Sequence, residues 1–333
     1  MKISVVMTTY NGERFVKQQL DSVFRQTHQP DEVLIYDDHS ADGTVSIIKG
    51  YISEKNLFNW KLFENNDNVG YIKNFYQAIH EATGDLIFLC DQDDIWHSDK
   101  IEKMIMLIQK NQGIHVLCSS FRKVDESGDD LKEKNKYGYS NNGLIKGYIK
   151  ALGLKKISLA RIIKANIAPG CTAVLTKECR ELYLRCASML WPHDWEIFIF
   201  GAILNGLYFY NEELVDYRIH ANNTIGLNDE KRSLSIDKSH NERVRLAESE
   251  YERVSLYKDI ECVGYIDRKM LKPIIRYYQF TEHRLKALSK FSLSLWIRLL
   301  ISISFYTKAI GVRGVIGDLL YIIKYRGEGN YGQ

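Results

Sequence analysis

The 333-residue sequence predicts an α/β protein in which a mostly parallel, doubly wound sheet is followed by a helical C-terminal region. Three observations support this prediction. Short apolar runs typical of strands alternate with helical patterns over the first 120 residues, and no strand pattern appears after Asn223. Hydrophobic residues make up 45% of the chain and charged residues 26%, which excludes disorder, collagen and coiled coil as descriptions of the whole protein.

Strand and helix patterns follow one another closely in the first 120 residues. The continuous apolar run at residues 3–8 is typical of a strand buried on both faces, and apolar side chains at helical spacing follow it at residues 13–25. Gly84 interrupts a later helical pattern before an apolar strand. The remaining predicted strands lie at residues 32–36, 60–63, 86–90 and 115–119, and the helices between them at residues 43–51, 72–81 and 101–111.

The pattern changes after residue 120. Residues 125–139 are charged and contain glycine, which predicts a mobile loop, and residues 144–164 predict a basic helix. Strand patterns at 171–176 and 207–210 then alternate with helices at 177–187 and 195–204, and four more helices are predicted at residues 233–259, 268–290, 293–306 and 315–325. We therefore predict a domain boundary near residue 225, which separates residues 1–225 from a helical region at 226–333.

The net charge of +3 conceals a division between the two parts of the chain. Residues 251–333 contain 14 Lys and Arg against 7 Asp and Glu, whereas the first 250 residues contain 31 against 35. A basic, aromatic tail predicts contact with an anionic surface. Residues 293–306 would form an amphipathic helix that lies on a membrane, or that packs on the body or on a second copy in a homodimer. Its apolar face would consist of Leu295, Trp296, Leu299, Leu300 and Ile303.

Other features of the sequence exclude several classes of protein. The six cysteines include no C-x-x-C pair, which argues against structural zinc and a disulfide framework and fits a reducing cytosol. The chain opens directly on an apolar strand pattern without a cleavable secretory segment, so we expect a cytoplasmic protein. No nucleic-acid-binding module is recognisable, so we expect no nucleic acid partner.

Polar residues follow three of the predicted strands. They lie at residues 8–12, 37–40 and 91–94, and the last of these segments reads Asp-Gln-Asp-Asp. Because ligands of parallel sheets bind beyond the carboxyl ends of the strands, these residues predict one site. Three carboxylates in four positions repel one another unless a cation binds, and hard oxygen ligands suit Mg²⁺ or Mn²⁺. A solvated acidic turn is the alternative.

Five motifs follow one another along the first 100 residues: SVVMTTYN at residues 4–11, YDDHSADGT at 36–44, NVG at 68–70, GD at 84–85 and DQDD at 91–94. A G-x-G-x-x-G fingerprint and a P-loop are both absent, which argues against other nucleotide-binding folds. In this order and spacing the motifs resemble those of the family 2 glycosyltransferases, whose GT-A fold is built on a Rossmann-like, mostly parallel sheet. The downstream elements extend the resemblance to about residue 225, and the DQDDIW variant resembles the bacterial rhamnosyltransferase-like branch.

The resemblance implies a donor site for a pyrimidine nucleotide. Asp38 would accept the N3–H of uracil or thymine, although it could instead cap the following helix. Asn68 and Gly70 would lie beneath the nucleotide, or would form a turn that starts a helix. Three residues would line the base pocket, with the tyrosine ring stacked on the base: Thr8, Tyr10 and Asn11.

The resemblance also implies the metal ligands. Asp93 and His220 would bind Mn²⁺ or Mg²⁺, and Asp91 would contact the ribose or a metal-bound water. Asp94 would position loops or sugar hydroxyls, and Arg218 would neutralise phosphate. A structural histidine is the alternative for His220.

A catalytic base is expected in the segment WPHDW at residues 191–195. Asp194 stands where the family carries its base, with His193 in place of the usual glutamate, and a plain helix cap is the alternative. A carboxylate there would take the proton of the acceptor hydroxyl. Gly170 would allow close approach of the backbone in an acceptor-side loop, PGC at 169–171.

The resemblance thus implies an inverting, metal-dependent glycosyltransferase. The donor would be dTDP-L-rhamnose or a UDP-hexose, and the acceptor a glycan on a lipid carrier in capsule or cell-wall polysaccharide synthesis. The protein would lie peripherally on the inner face of the cell membrane. Two rival functions are a sugar-phosphate nucleotidyltransferase, whose Gly-rich start is missing here, and a non-catalytic nucleotide-sugar-binding subunit. The presence of Asp93, Asp194 and His220 together argues against the second rival.

Overall fold

A sheet of nine strands organises the first part of the chain in the computed structural model, which describes residues 1–132, 153–221, 223, 240–258, 268–301 and 303–325. The strands within these residues are β1 Ile3–Thr9, β2 Glu32–Asp37, β3 Trp60–Glu64, β4 Leu86–Asp91, β5 Ile95–Trp96, β6 Val116–Val124, β7 Leu154–Lys156, β8 Ala173–Thr176 and β9 Leu207–Arg218. They lie in the order β3-β2-β1-β4-β8-β6-β9-β5, and β7 pairs with β9.

Helices connect the strands and form the C-terminal region. A single turn of 3-10 helix, Gly170–Thr172, precedes β8. The α-helices in the described residues are α1 Val16–Phe24, α2 Thr44–Glu54, α3 Tyr71–Glu81, α4 Lys100–Lys110, α5 Leu159–Ile162, α6 Lys177–Cys186, α7 His193–Ile203, α8 His240–Lys258, α9 Arg268–Ser289, α10 Leu293–Leu300 and α11 Ile303–Tyr325.

The parallel half of the sheet brings three polar strand ends together. β3, β2, β1 and β4 run parallel, and Thr8 lies between Tyr36 of β2 and Asp91 of β4 in the hydrogen-bonded register. All seven residues of β1 are buried, as expected for a strand covered on both faces. The predicted α/β fold class is therefore confirmed, and the second half of the sheet is mixed, because β8 runs antiparallel to both β4 and β6.

The helix predicted at residues 144–164 is wrong for the part that the structure describes. Residues 144–152 lie outside the described residues, and β7 and the short helix α5 occupy the remainder. β7 pairs antiparallel with β9, with Leu154 opposite Tyr210 and Lys156 opposite Tyr208. Tertiary pairing with a strand distant in sequence outweighs the weak local preference for helix.

β9 extends eight residues beyond the strand predicted at 207–210. The added part begins with Asn211, Glu212 and Glu213, which interrupt the apolar pattern, but it pairs with β6 and β5 and carries the chain to Arg218. The predicted loop at 125–139 begins with a turn in which the Asp125 carboxylate accepts hydrogen bonds from two backbone N–H groups. Residues 133–139 lie outside the described residues.

The chain divides into two compact units, Met1–Leu227 and Asn228–Gln333. In the second unit α8, α9 and α11 meet at the buried carboxylate of Asp318. It accepts hydrogen bonds from Arg243 Nη1 at 2.8 Å, from Arg284 Nε at 2.8 Å and from the Tyr306 hydroxyl at 2.7 Å. Arg284 also donates through Nη1 to Glu250 Oε2 at 2.8 Å. One buried ion network therefore joins all three helices.

The amphipathic helix predicted at residues 293–306 is wrong in its extent. The helix ends at Leu300, and Ile303 begins α11, which includes the separately predicted helix at 315–325. Trp296 and Leu299, two residues of the predicted membrane-facing side, are each only 8% exposed. None of the described helices combines the length and the apolar character needed to cross a bilayer.

We predict that Asp318→Asn lowers the free energy of unfolding of the second unit by about 3–5 kcal/mol, because it removes the buried carboxylate charge that Arg243 and Arg284 share. Urea denaturation at neutral pH measures this change. Burial alone would raise the pKa of Asp318, but Arg284 and Arg243 outweigh burial and hold this pKa below its usual value. The stabilisation is therefore lost as the pH falls through this lowered pKa, where variant and parent should converge.

Glu282→Gln is the matched control, since it removes a more exposed carboxylate that pairs with Lys286 on the same helix. Surface pairs of this kind contribute about 0–1 kcal/mol. Equal stability of Asp318→Asn and Glu282→Gln at neutral pH would show that the buried network does not hold the helices together.

Candidate active site

The loop after β1 exposes one aromatic ring at the carboxyl edge of the sheet. Thr8 is buried, whereas the Tyr10 side chain is 47% exposed. Asn11 has a φ of +47°, and its side chain accepts a hydrogen bond from the backbone N–H of Ala41 at 2.8 Å. Its own N–H donates to Ser40 Oγ at 2.8 Å. Asn11 thus ties the loop after β1 to the loop after β2, and Tyr10 is left available to stack on a flat ligand.

Asp38 anchors the start of α3. Its two carboxylate oxygens accept hydrogen bonds from the backbone N–H groups of Val69 and Gly70, both at 2.8 Å, and from Asn65 Nδ2 at 3.0 Å. Gly70 has a φ of +84°, a conformation that favours glycine, and Asn68 is exposed beside it. Asp38 therefore orders the turn before α3 and does not cap α2, the helix that the alternative named. Its contact with the base stays a prediction.

Gln92, the residue between the first two acids of DQDD, joins two loops of the site. Its Oε1 accepts from the Tyr10 N–H and its Nε2 donates to the Tyr10 carbonyl, both at 2.9 Å. A Cβ on Gly12 would lie only 2.1 Å from Gln92 Oε1, so glycine is needed at that position for the pairing. This role of Gln92 could not be predicted from the sequence, because no local pattern indicates which loop a polar side chain between two acids will contact.

The three acids of the DQDD segment come together, although in two groups. His220 Nε2 lies 2.8 Å from Asp93 Oδ2, and both side chains are largely buried. Ligand atoms of Asp91, Asp94 and Cys171 lie within 4.8 Å of one another. Burial and the neighbouring carboxylates raise the pKa of Asp91 well above its usual value, and burial and Asp93 raise the pKa of Asp94 to about 7. Like charges are therefore crowded here, as the sequence predicted.

A buried lysine, which the sequence analysis missed, faces this cluster. Lys100 is fully buried, donates to the Cys171 carbonyl at 2.5 Å, and places Nζ 3.4 Å from the centre of the Trp96 ring. Burial lowers its pKa to about 8, while Asp94 and Asp91 oppose this shift. Lys100 is the first residue of α4, and a cation at the start of a helix is unfavourable unless acids lie nearby. A lysine at this position is therefore a sequence signal for a nearby acidic site.

Arg218 holds loops together inside the protein. Its guanidinium is fully buried and donates to the Asp93 carbonyl at 2.7 Å, to the Glu126 carbonyl at 2.6 Å and to Gln18 Oε1 at 2.6 Å. Its backbone N–H donates to Asp94 Oδ1 at 3.1 Å. These contacts correct the expectation that Arg218 binds phosphate, because a guanidinium enclosed by protein oxygens is not presented to a ligand. Asp94 likewise positions the end of β9.

Asp194, the predicted base, lies at the start of α7. Its carboxylate accepts hydrogen bonds from Asn166 Nδ2 at 2.9 Å and from the Trp195 N–H at 2.7 Å. Burial raises its pKa to about 6, and these hydrogen bonds limit the shift. Asp194 is also close enough to raise the pKa of Asp91. Asp194 therefore lies near the acidic cluster, which consists of Asp91, Asp93 and Asp94. Asn166, which orients Asp194, could not be predicted from the sequence.

His193 is buried beside Asp194. Its ring stacks on Phe75 at a centroid distance of 3.7 Å, and neither ring nitrogen has a hydrogen-bond partner among the described residues. Burial lowers its pKa to about 3, so the imidazole is neutral. A Cβ on Gly170 would lie 2.9 Å from His193 Nε2 and 3.2 Å from the Asp194 Cβ, which explains the glycine of the PGC loop.

The donor set of the acidic cluster fits a divalent cation. Asp94 Oδ2 is buried and has no hydrogen-bond partner among the described residues, and a cation would satisfy it while relieving the repulsion around Asp91. Carboxylate oxygens and an imidazole suit Mn²⁺, and the oxygens suit Mg²⁺. Asp93 and His220 are adjacent, as their predicted shared role requires.

We predict that Gly12→Ala weakens binding of UDP or dTDP about tenfold, because the added Cβ displaces Gln92 from Tyr10 and loses hydrogen bonds that order the loop. Isothermal titration calorimetry measures the change. Gly50→Ala is the control, since a Cβ at Gly50 of α2 meets nothing within 4 Å. It should leave binding unchanged and stabilise the fold by about 0.5–1 kcal/mol. Equal affinities of both variants would contradict the assigned role of Gln92.

The chain is similar to known glycosyltransferases. The chain is 28% identical over 239 residues to the dTDP-rhamnosyl transferase RfbG of Shigella flexneri, which covers 67% of this chain and 74% of that protein. It is 31% identical over 127 residues to the putative glycosyltransferase EpsE of Bacillus subtilis, which covers 38% of this chain and 45% of that protein.

The fold matches solved structures as well. Residues 1–349 of TarS from S. aureus superpose with a TM-score of 0.55 at 15% identity, over 100% of this chain and 93% of that chain. The same TarS fragment in complex with UDP-GlcNAc gives a TM-score of 0.55 at 17% identity. These likenesses show a shared GT-A-like fold.

A family model extends across most of the strand ends that form the site. The model of glycosyl transferase family 2 matches residues 4–178, which is more than half of the chain and includes the motifs after β1, β2 and β4. Because the match is this long, and because the fold agrees with it, the chain belongs to glycosyl transferase family 2 and is a glycosyltransferase that uses a nucleotide sugar.

Proposed function

We propose that this glycosyltransferase transfers a sugar from a pyrimidine nucleotide, dTDP-L-rhamnose or a UDP-hexose, to a glycan hydroxyl with inversion at the anomeric carbon. The observation that carries the proposal is the position of Asp194, a buried carboxylate with a pKa of about 6 beside the acidic cluster at the end of β4. A general base works best when its pKa lies close to the working pH.

The donor assignment follows from the loops after β1 and β2. The half-exposed ring of Tyr10 can stack on a base, and the Asp38 carboxylate lies at the end of the neighbouring strand, where the family contacts the base. Asn68 and Gly70 lie just before α3, next to Asp38. Thr8 is part of β1 and lies between β2 and β4. The name of RfbG supports a dTDP-linked donor, and the UDP-GlcNAc bound to TarS supports a UDP-linked one.

The proposed reaction is a single displacement. The acceptor oxygen attacks C1 of the sugar from the side opposite the diphosphate, the new O–C1 bond forms, and the bond from C1 to the diphosphate oxygen breaks. Asp194 takes the proton of the acceptor hydroxyl, with its carboxylate oriented by Asn166 and the Trp195 N–H. Asp93 and His220 would hold a divalent cation, which would supply positive charge to stabilise the departing diphosphate, and Asp91 would contact the ribose.

The acceptor is proposed to be a lipid-linked glycan in capsule or cell-wall polysaccharide synthesis. The surplus of Lys and Arg in residues 251–333 supports a peripheral position on the anionic inner face of the cell membrane. A non-catalytic nucleotide-sugar-binding subunit is less well supported, because Asp93 and His220 form a close pair and Asp194 is a buried carboxylate with a raised pKa, features that a binding subunit does not need. Membership of glycosyl transferase family 2 argues against the nucleotidyltransferase alternative.

We predict that UDP or dTDP raises the thermal midpoint of unfolding only when Mn²⁺ or Mg²⁺ is present. A nucleotide at a hundred times its Kd should add about 2.7 kcal/mol of stability. In Asp93→Ala and His220→Ala the metal should no longer strengthen nucleotide binding, because both residues are assigned to the cation. His80→Ala is the matched control, since this exposed histidine of α3 lies outside the site.

Differential scanning fluorimetry with and without metal decides this prediction. NAD is the negative control for nucleotide binding and should leave the midpoint unchanged. Stabilisation by NAD and by neither pyrimidine nucleotide would contradict the proposed donor. Normal, metal-dependent binding of UDP or dTDP by Asp93→Ala would contradict the metal assignment.

We predict that Asp194→Asn binds the donor normally but transfers sugar about 10²–10⁴ times more slowly, because it cannot accept a proton. In the parent, kcat/KM should fall as the pH drops below about 6, the pKa of Asp194. Burial raises this pKa from 3.8, so protonation of Asp194 stabilises the fold, and the lost activity cannot be attributed to unfolding through this group.

Initial rates of nucleoside diphosphate release with a donor panel, measured between pH 5 and 8, test this prediction. Glu178→Gln, which changes an exposed carboxylate at the start of α6, is the matched control and should keep the parent profile. A fully active Asp194→Asn variant would remove Asp194 as the base. An activity that stays constant through pH 6 would do the same.

A further inference from the structure

An exposed apolar stripe runs along α11. Four side chains at intervals of four, four and three residues lie on one side of this helix, and we call them the α11 outer face. They are Val312, Ile316, Leu320 and Ile323, which are exposed by 63%, 46%, 41% and 56%. Single exposed aliphatic residues are ordinary, but a continuous stripe of them marks a surface that binds something apolar.

The opposite side of α11 is already used inside the second unit. Val315, Asp318 and Ile322 are buried, and Asp318 anchors the ion network with α8 and α9. The rotation of α11 about its axis is therefore determined by a buried charge, because turning the outer face inward would move Asp318 away from two arginines. The exposure of the stripe is a consequence of this packing.

The helices α9, α10 and α11 are strongly basic. Residues 268–325 contain 11 Lys and Arg but only two acids, Asp318 and Glu282. Asp318 is buried in the network, and Glu282 pairs with Lys286, so the two acids offset only one of the outer cations. Arg313 and Lys324 are exposed on α11 next to the stripe. Exposed basic residues also recur along one side of α9 and just beyond it: Lys269, Lys272, Arg276, His283, Lys286 and Lys290.

We propose that the α11 outer face lies on the surface of an anionic lipid bilayer, with its aliphatic side chains among the acyl chains and the surrounding Lys and Arg beside the headgroups. An amphipathic helix with basic residues next to an apolar stripe binds in this way without crossing the membrane. This inference rests on the proposed membrane association and assigns it to α11 in place of the α10 face, whose Trp296 and Leu299 are buried.

Other occupants fit these residues less well. A nucleic acid would pair with the cations but would gain nothing from four exposed aliphatic side chains. A second copy of this chain placed symmetrically on the stripe would bring Arg313 and Lys324 of both copies together, and like charges across an interface are unfavourable. An anionic membrane is the partner that uses the apolar stripe and the positive charge together.

The test is co-sedimentation of the full chain with vesicles of phosphatidylcholine alone or with about one third phosphatidylglycerol. Binding is expected to the anionic vesicles only. Because a basic residue near such a surface strengthens binding about fivefold, Lys272→Gln, Lys286→Gln and Lys290→Gln together should weaken it about a hundredfold at low salt. Ile316→Ser with Ile323→Ser should weaken it at least tenfold and should abolish the binding that persists at high salt.

Leu246→Ser on α8 is the matched control, since Leu246 is 38% exposed in the same unit but lies outside the stripe. It should bind vesicles like the parent. Thermal midpoints verify that every variant is folded, and Ile316→Gln with Ile323→Gln provides a second pair with higher helix propensity. Nucleotide binding should be unchanged in all of them, so failure of the membrane inference can be distinguished from failure of the proposed activity.

Several outcomes would overturn the proposal. These are equal binding to neutral and anionic vesicles, binding that is unchanged in the aliphatic double variants, and the absence of binding by the parent. Retention on RNA with loss of vesicle binding would assign the cations to nucleic acid. A dimer in light scattering that becomes a monomer in the aliphatic variants would assign the stripe to a second copy.

Discussion

Repulsion among three carboxylates at the end of one strand is the constraint on which this site depends. Asp91, Asp93 and Asp94 lie within four residues, and burial together with the crowding of like charges raises the pKa of the first and the last. Two cations are buried nearby although the burial of charge is costly: Lys100 faces the cluster, and Arg218 donates to the backbone of Asp93. The site is thus built around negative charge that fixed cations only partly offset, which leaves a place for a divalent ion.

The loops that carry the site residues are held in place by contacts between distant parts of the chain. The Arg218 side chain reaches Gln18 across 200 residues of sequence, and Gln92 joins Tyr10 across 82 residues. Each loop alone would be free to move, because hydrogen bonds within it do not restrain its orientation. Together the contacts arrange the donor loops and the acids before any ligand binds, and preorganisation of this kind is a large part of electrostatic catalysis.

The two units show how an average net charge can mislead. The first unit carries the acids of the DQDD segment, and the second carries an excess of Lys and Arg. Inside the second unit, Asp318 and its two arginines satisfy one another and set the rotation of α11. Charge determines the interior packing there, and that packing selects which apolar side chains remain exposed.

The sequence by itself determined the α/β class, the main strands and helices of the first 120 residues, and the three polar strand ends, because these depend on local periodicity and on the register of parallel strands. Only the tertiary structure decided which polar residues serve the framework. It buried Arg218, bound the turn before α3 to Asp38, added Lys100 and Gln92 to the site, and turned Trp296 inward. The physical reason is that burial and hydrogen-bond partners come from residues far away in sequence, which no local pattern records.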